Sequence, residues 1–198
     1  MKIILIIFLF GVFAAQAQLP VLKIGDSIPS PDVKMNCAVS GKVTDLESLK
    51  EQNGLLVIFS CNTCPFVIAW EDRYPLVAEI ARENKIGFVL LNANHLKRVG
   101  DDSPEAMKEH AEKHNYQWPY LIDDKSIVAN AFGAQTTPHV FLFDKNLKLV
   151  YKGAIDDNYK NKEDVSEFYV KDALVSLGKG KAIIKNETRN LGCSIKRP

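Results

Sequence analysis

The 198-residue sequence has no charge imbalance: 25 Lys and Arg stand against 24 Asp and Glu. Only Lys2 is charged within residues 1–17, so the remainder balances at 24 against 24. A neutral chain offers no broad basic face to a polyanion, which argues against nucleic acid as a partner. Internal repeats and low-complexity tracts are also absent, so one ordinary domain is expected. Cysteine is scarce, with four residues at 37, 61, 64 and 193. That is too few for a disulfide-stapled miniprotein, and a chain of this length buries a core without staples. A structural zinc site wants a second matching cysteine pair, and Cys37 and Cys193 are isolated. Gly178-Lys179-Gly180-Lys181 follows a predicted helix rather than opening one, so it reads as a cap and not a phosphate cradle.

What the chain does have begins with an address. Lys2, the apolar run from Ile3 to Ala15 and the step Ala15-Gln16-Ala17 form the charged, apolar and cleavable parts of a secretory signal. Cleavage is expected after Ala17, leaving residues 18–198 as one exported domain, periplasmic or secreted, with a basic tail from about residue 179. The apolar run is short for a span and no stop-transfer pattern follows, so the membrane is met only in transit. The tail reads as solvated.

Along the rest of the chain, Val33 to Val39 and Lys42 to Thr44 predict a β-hairpin turned by Gly41. Asp45 predicts the cap of a short helix. Leu55 to Ser60 is an uncharged strand pattern that runs straight into Cys61-Asn62-Thr63-Cys64-Pro65 and a helix start. The helix is expected over about 65–83, kinked or split by Pro75. Ile86 to Asn92 is a second apolar strand, and strand-helix-strand order implies parallel pairing. Ser103-Pro104 opens another helix. Tyr120 to Ile122 predicts an edge strand, Lys125 to Phe132 a helix stopped by Gly133, and 139–143 with 147–151 a hairpin. A last helix is expected over 162–177, closed by Gly178. The fold class is α/β.

The chemistry is in the cysteines. A Cys-x-x-Cys serves redox, zinc or structural roles, and its place at a strand-to-helix junction of an exported chain favours redox. On a helix's first turn, unpaired N–H groups and the helix dipole favour a thiolate. The second part of the constellation is Thr137-Pro138 before a strand; either proline isomer is compatible with the sequence, and the freed backbone edge suits an extended substrate.

These residues, with the later hairpin, Gly153 and the closing helix, resemble a thioredoxin-fold protein of the exported redoxin group related to alkyl hydroperoxide reductases, the peroxiredoxin-like subgroup. The resemblance covers nearly the whole of 18–198, and the ending Gly192-Cys193-Ser194-Ile195-Lys196 is similar to one seen there. It implies a three-layer fold with a central mixed sheet, an N-terminal hairpin and a helical insertion over 94–118. It implies Cys61 as exposed nucleophile, Cys64 as buried resolving thiol, Pro138 as a cis-proline and Thr137 as substrate-binding backbone, with the 153–157 loop bordering the site.

Two departures follow. Asn-Thr between the cysteines leaves the direction of exchange open. The central strand lacks the buried carboxylate of thioredoxins, so Asp156, Asp157 and Glu71 are candidate proton acceptors. The reading is an exported thiol-disulfide oxidoreductase that needs no cofactor and whose partners are protein disulfides or dithiols and a recharging redox protein. A thiol peroxidase is the first alternative, although Ile58 stands where peroxiredoxins place a helping threonine for Cys61. The second is a Cu(I) chaperone using Cys61, Cys64 and His139. His110 and His114 read as a solvated helix face. Cys37 and Cys193 read as two buried thiols or one structural disulfide; the sharper expectation makes Cys193 a third redox thiol acting on the pair.

Overall fold

One uncharged strand organises the molecule. In the computed structural model, which describes residues 20–198, strand β3 (Gly54–Ser60) is buried along its whole length. The expected signal segment lies outside the described residues. Because side chains alternate along a strand, Leu56 and Ile58 join one core while Leu55, Val57 and Phe59 join the other. A strand apolar on both faces is stable only when both are covered, and this dictates three layers.

The hairpin is short, β1 (Met35–Asn36) against β2 (Val43–Thr44). Around β3 lie β4 (Ile86–Asn92), β5 (Tyr120–Ile122), β7 (His139–Asp144) and β8 (Leu149–Gly153), in the order β5-β4-β3-β7-β8. β3 and β4 run parallel, as do β4 and β5, while β7 is antiparallel to β3 and to β8. The sheet is therefore mixed, as the resemblance implies. On one face α1 (Pro65–Trp70), α2 (Tyr74–Glu83), α3 (Pro104–Lys113) and α5 (Tyr169–Gly178) supply Trp70, Tyr74, Val77, Met107 and Leu174. On the other, α4 (Ile127–Phe132) packs with Ile28 and Leu46. Gly133 ends α4 at φ 63°, the left-handed conformation that a helix stop of this kind requires.

Both outer strands already have backbone partners. The hairpin region lies along β5, where Ala38 N–H donates to Tyr120 O at 2.8 Å. Residues 186–188 lie along β8, where Lys152 N–H donates to Asn186 O and Thr188 N–H to Lys152 O.

The 65–83 helix is split as expected, at 71–73, with Pro75 in the first turn of the second piece. Three expectations change. Asp45 does cap, its Oδ1 accepting from Ser48 N–H at 2.7 Å, but what it caps is a turn. The last helix starts at Tyr169 rather than near 162. Asn161 accepts from Glu163 N–H and Asp157 from Ser166 N–H, and such local side-chain bonds compete with a helix for the same amides. Finally, the C-terminal segment is not a solvated tail: β9 (Cys193–Ser194) pairs antiparallel with β6 (Thr136–Thr137), and Ile195 is buried in the core.

Phe132 is fully buried and meets Phe59, Phe141 and Phe143 edge-on, with ring centroids 5.3 to 5.5 Å apart. Phe132→Ala is expected to cost about 3–5 kcal/mol through lost burial and the cavity left behind. Urea unfolding should show a lowered midpoint at unchanged slope; a midpoint within error of the wild type would mean the core does not depend on this ring.

Candidate active site

The register of the sheet assembles the site. Phe59 pairs with His139 across β3 and β7, so the chain just past β3 and the chain just before β7 are neighbours. These are Cys61 and Thr137-Pro138. The Thr137–Pro138 peptide is cis. Cys61 Sγ lies 3.2 Å from Thr137 Oγ1, and Cys64 Sγ lies 3.1 Å from Thr137 O. The sequence candidates Cys61, Cys64, Thr137 and Pro138 are thus brought together, and all but Pro138 line a cavity of about 120 Å³ that Lys97, Cys193 and Lys196 also line.

The helix begins at Pro65, as the sequence predicts, so both cysteines precede its first turn. Pro65, with its preset φ and missing N–H, takes the first turn, and Cys64 is the N-cap at φ −71°, ψ 124°. Cys61 stays in the loop. Asn62 holds it there: its backbone N–H donates to Asp102 Oδ1 at 2.9 Å, its side chain donates to Asp101 O at 2.7 Å, and Tyr120 Oη donates to its Oδ1 at 3.0 Å. Asp102 is fully buried and also accepts from Asn92 and Asn94. This network was not legible in the sequence, where Asp101-Asp102 reads only as the approach to a helix cap.

Cys61 is 3% and Cys64 4% exposed, so the expected exposed nucleophile is not exposed. The two thiols are not equivalent. Cys61 hydrogen-bonds to Cys64, and that bond pulls Cys64 well below the ordinary thiol range against the cost of burial. The Cys193 thiol and the Val67 backbone at the first turn of α1 act in the same direction. The Cys64 contact pushes Cys61 up; burial and the negative charge of Asp102 add to it. Cys64 Sγ–H donates to the Thr137 carbonyl, so a charge on Cys64 gives up that bond while the Cys61 and Cys193 thiols favour it.

The candidate proton acceptors do not reach the sulfurs. Glu71 accepts from His110 Nε2 at 2.5 Å and from Tyr116 Oη, and His114 Nδ1 lies 3.0 Å from its second oxygen. Burial works against its charge, and the bonds from His110 and Tyr116 outweigh it, holding Glu71 below its usual value. Asp156 accepts from Trp70 Nε1 at 2.6 Å and Arg73 Nε at 3.3 Å. Asp157 faces Ser166. The 153–157 loop does not line the cavity.

The copper set is corrected as well. Among the described residues the side chains close enough together to share an ion are Glu71, His110 and His114, not Cys61, Cys64 and His139. His139 is buried with its ring 4.4 Å from that of Phe141, and its Nδ1 accepts from Gln135 N–H. Burial pushes its pKa down to about 3. His110 and His114 are a stacked, hydrogen-bonded pair, not a solvated face. Glu71 with these two imidazoles is a zinc-type donor set, held in this structure by direct hydrogen bonds. Cys37 is a buried free thiol in the other core, so it makes no disulfide with Cys193.

The thiolate assignment predicts that absorbance at 240 nm from one thiolate persists below pH 6, and that the next rise comes from Cys37, where burial raises the thiol but hydrogen bonds from Ser40 outweigh it and hold it below the ordinary value. The absorbance below pH 6 should vanish in Cys64→Ser and survive in Cys61→Ser with its pKa raised, since a donor to Cys64 weakens. Loss in Cys61→Ser alone would put the charge on Cys61.

Comparison with known proteins places the chain. The Redoxin family model matches residues 23–169. Among curated proteins none matches. An uncharacterized conserved protein from Geobacillus kaustophilus is 33% identical, with a TM-score of 0.82 over 89% of this chain and 93% of its own. A hypothetical protein from Sinorhizobium meliloti 1021 is 29% identical, with a TM-score of 0.81 over 90% and 97%. A secreted Mycobacterium tuberculosis disulfide oxidoreductase homologous to E. coli DsbE shares the fold at 16% identity, with a TM-score of 0.52 over 75% and 95%. With its thioredoxin fold and its paired thiols, the chain belongs to the Redoxin family and has a redox function.

Proposed function

We propose that this protein is an exported thiol-disulfide oxidoreductase that exchanges disulfides with protein partners through Cys61 and Cys64. One observation supports this above all: two free thiols packed in one cluster lie against the backbone and hydroxyl of Thr137, next to a cavity that opens on them. In this reading the Cys64 thiolate attacks a partner disulfide. A Cys64–partner bond forms, and the partner's other sulfur leaves with the electron pair and takes up a proton. Cys61 then gives up its proton and attacks Cys64 Sγ, closing the internal disulfide and releasing the second partner sulfur as a thiol. The reverse sequence oxidises a dithiol. These roles exchange those the resemblance implies, because the Cys61 contact, with Cys193 and the Val67 backbone, lowers Cys64. Export rests on the signal pattern of residues 1–17, and N-terminal sequencing of protein from the producing cell should begin at residue 18.

Insulin reduction with a thiol recharging reagent should proceed in the wild type and fall by about two orders of magnitude or more in both Cys61→Ser and Cys64→Ser. Fast hydrogen peroxide consumption with insulin untouched would replace the reading with that of a thiol peroxidase.

A further inference from the structure

Cys64 has thiol neighbours on both sides. Cys61 and Cys64 share a small buried cluster with Val67, Cys193 of the C-terminal strand packs against that cluster, and all three cysteines line one cavity. Cys193 is not held there by its sulfur. It sits opposite Thr137 in the β6–β9 ladder, the same residue that touches both motif sulfurs. Several further bonds fix the strand. Ile195 N–H donates to Gln135 O at 3.0 Å, Lys196 N–H to Asn94 Oδ1 at 2.9 Å, Leu96 N–H to Lys196 O at 3.0 Å and Asn190 Nδ2 to Thr136 Oγ1 at 2.7 Å. The preceding residue is a glycine for a steric reason: a Cβ at 192 would stand 2.3 Å from Thr137 O. The approach is thus built by backbone and shape, in a protein whose reaction is read as exchange between sulfurs.

We infer that Cys193 is a third redox thiol, placed by β9 to attack Cys64 and carry the active-site disulfide onto the C-terminal strand as a Cys64–Cys193 bond. The inference rests on the exchange reading above. Starting from the Cys61–Cys64 disulfide, the Cys193 thiolate attacks Cys64 Sγ. The Cys64–Cys193 bond forms, the Cys61–Cys64 bond breaks, and Cys61 leaves as a thiolate that takes up the proton Cys193 lost. No electrons enter or leave. Starting from a Cys64–partner bond, the same attack releases the partner as a thiol, so Cys193 competes with Cys61 as resolving group. The electrostatics favour attack at the right moment. Burial, then the Cys64 contact, raises Cys193 in the reduced protein, and Lys196 lowers it. Once Cys64 is in a disulfide its charge is gone, and one of the causes holding the Cys193 proton goes with it.

Oxidised glutathione is the probe. Added to Cys61→Ser, it should form a Cys64–glutathione adduct that Cys193 resolves, so that tryptic peptides 51–73 and 190–196 appear joined by a disulfide. In Cys61→Ser/Cys193→Ser the adduct should last at least about tenfold longer, as expected when an intramolecular thiol is removed. Gly192→Val, placed on Cys61→Ser, should lengthen it similarly although Cys193 is still present, because the strand no longer reaches Thr137. Equal lifetimes with and without Cys193, or a joined pair of peptides formed equally well in the Gly192→Val background, would overturn the assignment. Insulin reduction by the wild type separates the two readings. Reduction with equal adduct lifetimes removes the third thiol and keeps the exchange; a Cys64–Cys193 bond without insulin reduction keeps the third thiol and removes the protein substrate. Failure of Cys64 to take up glutathione at all would overturn both.

Discussion

Burial of β3 on both faces is the constraint from which the rest follows. A strand with no polar side to turn outward leaves the chain one arrangement, with helices above and below and partner strands on both edges. Slipping the antiparallel register with β7 by one residue would turn every apolar side chain to the wrong layer. The register that results sets Phe59 beside His139, and this puts the residue after the strand next to the residues before β7. The site is therefore not assembled by contacts among its own members. It is where two strands, locked by packing far from any sulfur, run out of ladder.

Within that frame the electrostatic question is which sulfur of a dry, close pair holds the charge. Cys64 has the helix start and the hydrogen bonds; Cys61 has the loop and a buried carboxylate behind it. Asp102 accepts from three groups of the loop and the β4 end. Its main work is structural, fixing Asn62, and its charge is a side effect felt by Cys61. A carboxylate used this way stiffens the loop and at the same time keeps the first cysteine protonated.

Much of this was legible in the sequence because it rests on local patterns. β3, β4, the edge strand β5 and the helix opened by Ser103 follow from apolar runs and caps; Ser103 Oγ indeed accepts from Ala106 N–H. What escaped depends on partners distant in the chain. The loop that keeps Cys61 ahead of α1 is held by Asn62 on Asp102, forty residues away. Of the carboxylates expected as proton acceptors only Glu71 is near the cysteines along the chain, and each is turned to its own partners: Glu71 to His110, Asp156 to Trp70 and Arg73. The tail misled for another reason. Its lysines and arginines read as solvated, but docking is done by main-chain groups, by Gly192, by Ile195 and by Arg197, whose guanidinium donates to Asn130 Oδ1 and Ala134 O.

The flanks of the sheet have a consequence of their own. With the hairpin region along β5 and residues 186–188 along β8, the outer strands present few free amides or carbonyls. That protects the molecule from stacking edge to edge with its own copies. It also means that another polypeptide cannot simply extend the sheet at either margin, so recognition must use side-chain surfaces or displace a strand already in place.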